Sequence, residues 1–161
     1  MRSYRQIKQE LKERMEREFA VCDRQIQRIE EALSDLGMRI PMSVEEHADL
    51  TREQIRCLDQ FILRFSKLQD TMGAKLFRHV LTYLEEDVSD LPMLDILRLM
   101  ERYGWIDQAD QWTTIRELRN EIAHDYPLLE NDAVAAINEL IRQFDTLKVI
   151  YNRLRKAVEG R

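Results

Sequence analysis

The sequence predicts an all-α protein, an antiparallel, up-and-down bundle of four to five helices with a long helix at its N-terminus. Three observations lead there. Only 4 glycines and 3 prolines occur in 161 residues, whereas a sheet protein writes a turn roughly every ten residues, usually with Gly, Pro, Asn or Asp. Hydrophobic residues make up 44%, too many for a disordered chain. Apolar residues also recur in steps of three and four along most of the length, the period of a helix with one buried face. The length suits one domain with a real core. We therefore expect a single bundle over residues 1–161, with a long helix over 1–36 and a core over 51–158.

Each element has its own signal. Tyr4, Ile7, Leu11, Met15, Phe19, Cys22, Ile26, Ile29, Leu33 and Leu36 form one stripe, predicting a helix from about Ser3 to Leu36 that Gly37 ends. Such a helix is about 50 Å long, so its first turns are expected to project or to pack on another subunit. Pro41 opens an irregular segment. Ser43-Val-Glu-Glu46 has capping-box form and predicts a short helix; Thr51-Arg-Glu-Gln54 is a second box and starts the next long one. That helix carries Ile55, Leu58, Phe61, Phe65, Leu68, Met72 and Leu76 and continues to Val80 and Tyr83, with Gly73 interrupting it. Ser89-Asp-Leu-Pro92 reads as a helix start with Asp90 or Leu91 as cap and Pro92 near the first helical position. Its helix ends at Gly104. Another spans about Gln108 to Ala123, and Pro127 disfavours helical geometry at Tyr126. Asn131 or Asp132 is the expected cap of the last helix, buried through Ile137, Leu140, Phe144, Leu147, Tyr151 and Leu154.

Composition also limits function. No run approaches the ~18 apolar residues of a membrane span, and Met1 to Lys12 is charged throughout, unlike a signal peptide. A soluble, cytoplasmic protein is expected. Cys22 and Cys57 lie on apolar stripes and read as small buried hydrophobes. The net charge of −5 excludes a blanket basic surface for nucleic acid but leaves room for a local basic cleft.

One segment carries chemistry. On a helical wheel Trp112, Ile115, Leu118 and Ile122 define an apolar arc, and Arg119 falls inside it. A guanidinium facing a bundle interior is costly unless paired or lining a polar cavity. Asn120 and His124 are four apart and share a face beside Arg116. This set suits phosphodiester cleavage without a metal. Near a helix C-terminus the imidazolium of His124 is favoured, and imidazole moves protons near neutral pH. Arg119 can hold a phosphate bidentately and stabilise transition-state charge, and Asn120 can orient the histidine or the backbone. There is no HxxxH pair and no paired-Asp motif, so no metal or cofactor is expected. The residues alone also allow a plainer role, in which His124 caps the helix and Arg119 snorkels past the core.

The string Arg119-Asn120-Glu-Ile-Ala-His124-Asp-Tyr126 resembles the R-x4-H-x-Y motif of the HEPN family, in particular HepT-like toxins. These all-helical, metal-independent ribonucleases are paired with a nucleotidyltransferase antitoxin. The likeness of the bundle pattern extends over roughly Thr51 to Val158. It implies a homodimer whose two motifs face one cleft and an RNA substrate. It also implies Arg119 and His124 as catalytic residues with Asn120 supporting, and Tyr126 as acceptor of AMP from the partner. A bulky anion two residues from His124 would block the phosphate site. The family often carries a further polar residue in a preceding helix. Gln69 and Asp70 are the candidates, either of which could pair with Arg119, with Arg116 nearby. Arg142, Lys148, Arg153, Arg155 and Lys156 make the last helix locally basic, in line with RNA binding or with a solvated face. Some relatives of this bundle are substrate-binding subunits of nucleotidyltransferases. A non-catalytic nucleotide-binding subunit is therefore the alternative function.

Overall fold

A computed structural model of the chain describes residues 1–125 and 130–160, and every element among them is helical. The elements are α1 (Tyr4–Leu36), α2 (Val44–Ala48), α3 (Arg52–Thr71), a π-helical turn (Met72–Leu76), α4 (Phe77–Tyr83), α5 (Met93–Arg102), α6 (Ala109–Asp125) and α7 (Glu130–Val158). The rod formed by α3, the π turn and α4 is continuous, so the described residues make five substantial helices and the single turn of α2.

Local sequence sets the helix ends. Ser3 caps α1, its hydroxyl accepting from the Gln6 amide while the Gln6 side chain accepts from the Ser3 amide. Gly37 ends α1 in the left-handed region at φ 63°, where a side chain would be strained. Ser43 with Glu46 and Thr51 with Gln54 form the same reciprocal pair at α2 and α3. Two predicted starts shift. Pro92 is itself the cap residue of α5, because its carbonyl accepts from the amides of Asp95 and Ile96 while its own ring has no donor to satisfy. α7 begins at Glu130, so Asn131 and Asp132 stand in its first turn and not at its cap. Acidic groups there complement the positive helix end.

The core is built on an antiparallel pair. Gln25 accepts from Arg64 Nη1 at 3.2 Å, Glu18 meets His79, and the Tyr4 hydroxyl reaches Glu85. These links place successive levels of α1 against levels running the opposite way along the α3–α4 rod. The long first helix therefore does not project beyond the fold, because the rod opposite it has the same length. Its first turns still leave Tyr4 and Ile7 exposed. Glu18 and His79 form a mostly buried pair, Nδ1 lying 2.6 and 2.8 Å from the two carboxylate oxygens. α7 lies along this pair. The Asn138 side chain both donates to and accepts from Met42 backbone at 2.9 Å, and the Tyr151 hydroxyl donates to the Phe19 carbonyl at 3.0 Å. Arg78 donates to the carbonyls of Val88 and Leu91 and so fixes the link that delivers α5.

α6 packs between α3, α5 and α7. It is placed by Trp112, which is 2% exposed, meets Phe77 edge-on at 4.6 Å and lies against Gly73. A Cβ at Gly73 would stand 2.9 Å from Trp112 Cζ2. The interruption expected at Gly73 is a π turn, which keeps the chain helical while admitting one extra residue. No helix among the described residues is long and apolar enough to cross a membrane.

Two predictions follow from this packing. Gly73→Ala should destabilise the fold by about 1–3 kcal/mol in urea denaturation, since the indole is pinned by Phe77 and cannot yield cheaply. The clash is expected to outweigh the helix-propensity gain of alanine, which is about 1 kcal/mol. The second concerns alkaline stability. Burial, reinforced by Asp23 and Glu18, pushes the Cys22 thiol up from 9.0 to about 12. A thiol raised in the folded state contributes stability that is complete below pH 9 and is lost as pH rises toward 12, by about 1.4 kcal/mol per pH unit. Urea midpoints at pH 8 and pH 10 should fall in the wild type and fall less in Cys22→Ala.

Candidate functional site

The motif helix approaches the rod at the level of the π turn. There it brings together four of the residues singled out by sequence: Gln69 and Asp70 from the end of α3, and Arg116 and Arg119 from α6. Together with Trp112 they wall a cavity of about 150 Å³, completed by Gly73, Ala74 and Met93. The arrangement follows from the α3 stripe. Leu58, Phe61, Phe65, Leu68 and Met72 are fully buried, and Gln69 lies within the same buried face at 2% exposure.

Arg119 is held without being saturated. Its side chain is 15% exposed, and its terminal nitrogens face Asp70 at 3.3 Å (Nη2 to Oδ1) and 3.5 Å (Nη1 to Oδ2). A closed bidentate guanidinium–carboxylate pair has contacts of about 2.7–2.9 Å, so this pair is loose. The Asp70 side chain is 63% exposed, which lets water screen the attraction. Arg119 Nε is buried and has no hydrogen-bond partner among the described residues. Both amide atoms of Gln69 are likewise buried and have no partner among the described residues. Each such group costs about 1–3 kcal/mol relative to a satisfied one. Arg116 is exposed at the same cavity and has no ion-pair partner among the described residues.

Asn120 and His124 are exposed, and neither lines this cavity. His124 follows Arg119 by five residues, about 7.5 Å along the axis and about 140° around it. It occupies the last turn of α6. Tyr126 and Pro127, on which the expected AMP acceptor and helix stop fall, lie outside the described residues.

Most of the basic residues of α7 are paired with carboxylates among the described residues. Arg142 pairs with Glu139, Lys148 with Asp145 at 3.6 Å, Arg153 with Asp107 at 2.9 Å, and Arg155 with Asp23 at 2.9 Å. Four of the five cations counted toward RNA binding are thus paired within the chain, while Arg116 and Arg119 both line the cavity beside Gln69. No group of three or more His, Cys, Asp or Glu among the described residues could hold a metal ion. Cys22 and Cys57 are free thiols, the first buried and the second half-buried.

With this geometry in view, comparison with known proteins finds no matching family model, no matching curated protein and no matching solved structure.

Sequence reasoning placed Gln69 on the apolar arc but could not see that its amide is unsatisfied. The signal available was a glutamine in a stripe of Leu, Phe and Met. Gln69→Leu should leave the unfolding free energy from urea titration unchanged or raise it by up to about 1 kcal/mol, because an apolar group of similar size removes two unpaired buried polar atoms. An unfolding free energy lowered by more than about 1 kcal/mol would show that the amide is satisfied in solution.

Proposed function

We propose that the chain is a HEPN-type, HepT-like toxin, a metal-independent endoribonuclease acting on RNA as a homodimer in which two Arg119/His124 motifs face one cleft. The observation that carries this reading is the state of Arg119, mostly buried beside a polar cavity, loosely paired and with an unpartnered Nε. A guanidinium in that state can exchange a distant carboxylate for a close, bidentate phosphate. The phosphate so held would sit beside Arg116. His124 would take the proton of the attacking ribose hydroxyl or return one to the leaving oxygen, and Arg119 would stabilise charge on the pentavalent phosphorus. Asn120, one helical turn before His124, would orient the imidazole. In this reading a nucleotidyltransferase antitoxin silences the enzyme by transferring AMP to Tyr126.

One observation favours a second reading, a non-catalytic nucleotide-binding subunit of a nucleotidyltransferase. The cavity wall contains both arginines but not His124, as suits a site that binds phosphate without a proton-transfer group. The two are separated by cleavage of a mixed RNA in EDTA by the unmodified chain and its variants. His124→Ala and Arg119→Ala are each expected to lower the rate by about 100-fold or more. No cleavage by the wild type, or unchanged cleavage in His124→Ala, removes the ribonuclease reading. Binding of ATP without RNA cleavage would then support the second.

A further inference from the structure

The cavity at the π turn holds more than a phosphate requires. We propose that it is a nucleobase-reading subsite, in which the Gln69 amide pairs with the edge of an adenine while Arg119 and Arg116 hold the adjoining phosphate. This rests on the reading of Arg119 as a phosphate ligand.

The first argument is the amide itself. Gln69 is 2% exposed, and neither its Nε2 nor its Oε1 has a hydrogen-bond partner among the described residues. A phosphate cannot satisfy both, because it offers acceptors and the carbonyl oxygen needs a donor. A group presenting a donor and an acceptor side by side can satisfy both. Adenine does so through N6–H and N7, the edge that glutamine reads bidentately in nucleic acids. The second argument is the wall. Trp112 supplies an aromatic side and Met93 a flexible apolar one. Bases in single-stranded RNA are recognised in that way, by contact with aromatic side chains and hydrogen bonds to their edges. Met93 is only half-buried and Arg116 is exposed, so the two side chains able to shift for an entering base are the ones nearest solvent. The third argument is the backbone. The π turn from Met72 to Leu76 forms part of this wall, and such turns inside α-helices are frequent at functional sites.

The adenine could belong to an RNA strand or to a free nucleotide, and calorimetry on the full chain tests both. AMP is compared with ribose 5-phosphate, and r(UUAUU) with r(UUUUU), using the wild type, Gln69→Leu and the volume-conserving Gln69→Met. The His124→Ala background prevents strand cleavage during the measurement. One bidentate base contact predicts about tenfold or greater preference for the adenine-bearing member of a pair. Both Gln69 variants should lose the preference while binding ribose 5-phosphate or r(UUUUU) as the parent does. Preference within the strand pair alone identifies RNA as the source, and preference for AMP alone identifies the mononucleotide. Equal binding within both pairs, a preference that survives in both variants, or no binding of any of the four overturns the proposal. Because nothing here depends on turnover, the base-reading site can fail while cleavage in EDTA stands, and the reverse.

Discussion

Trp112 can lie against the helical rod only because residue 73 has no side chain. The 2.9 Å that a Cβ would leave to the indole sets how near α6 comes to the π turn. Seven residues further along α6, the same approach brings Arg119 level with Asp70 and over Gln69. Moving the helix outward by the width of a methyl group would open the already long 3.3 Å contact to Asp70 and expose the guanidinium. The glycine that looks like a weakness in the helix is therefore what holds the motif helix in register with the polar end of α3. Phe77, edge-on to the indole, keeps it from turning away.

Much of this was legible in the chain. Capping boxes at Ser3, Ser43 and Thr51, the glycine stop at residue 37 and the apolar stripes are short-range signals, and each is realised locally. What the sequence could not supply came from contacts distant along the chain. The match in length between α1 and the α3–α4 rod decides that the first helix is paired and does not project. Arg153 and Arg155 look available in sequence because their partners lie 46 and 132 residues away. Gly73 reads as a break because composition reveals no indole waiting opposite it. Arg119 stood out on the helical wheel, with Gln69 or Asp70 as a possible partner; that the partner is Asp70, at 3.3 and 3.5 Å, required the tertiary fold.

The net charge of −5 is an obstacle to binding an anion. It bears less on this cavity than the total suggests, because a salt solution screens charges beyond about 8–10 Å. Among the residues that line the cavity, the charged ones are Arg116 and Arg119 against Asp70. Asp70 is well exposed, so its opposition is more strongly screened than the charge of the mostly buried Arg119. An anion at the cavity would meet a small positive excess within an acidic molecule, an arrangement that disfavours loose, non-specific attachment along the α7 face.

The polar groups at this cavity are arranged against the interest of stability. A leucine at position 69 would extend the run of Leu68 and Met72 at no polar cost, and a closer Asp70 would satisfy Arg119. Neither is present. The fold instead keeps a buried amide and a guanidinium Nε without partners, each costing about 1–3 kcal/mol, out of a total stability of about 5–15 kcal/mol for an ordinary domain. Random drift in a core favours apolar replacements that relieve such costs, because stabilising substitutions of this kind are readily reached. Unsatisfied groups that converge on one cavity are better explained by something that satisfies them when bound. The donor and acceptor of Gln69, set beside the spare N–H of Arg119, describe a ligand that carries both a base edge and a phosphate.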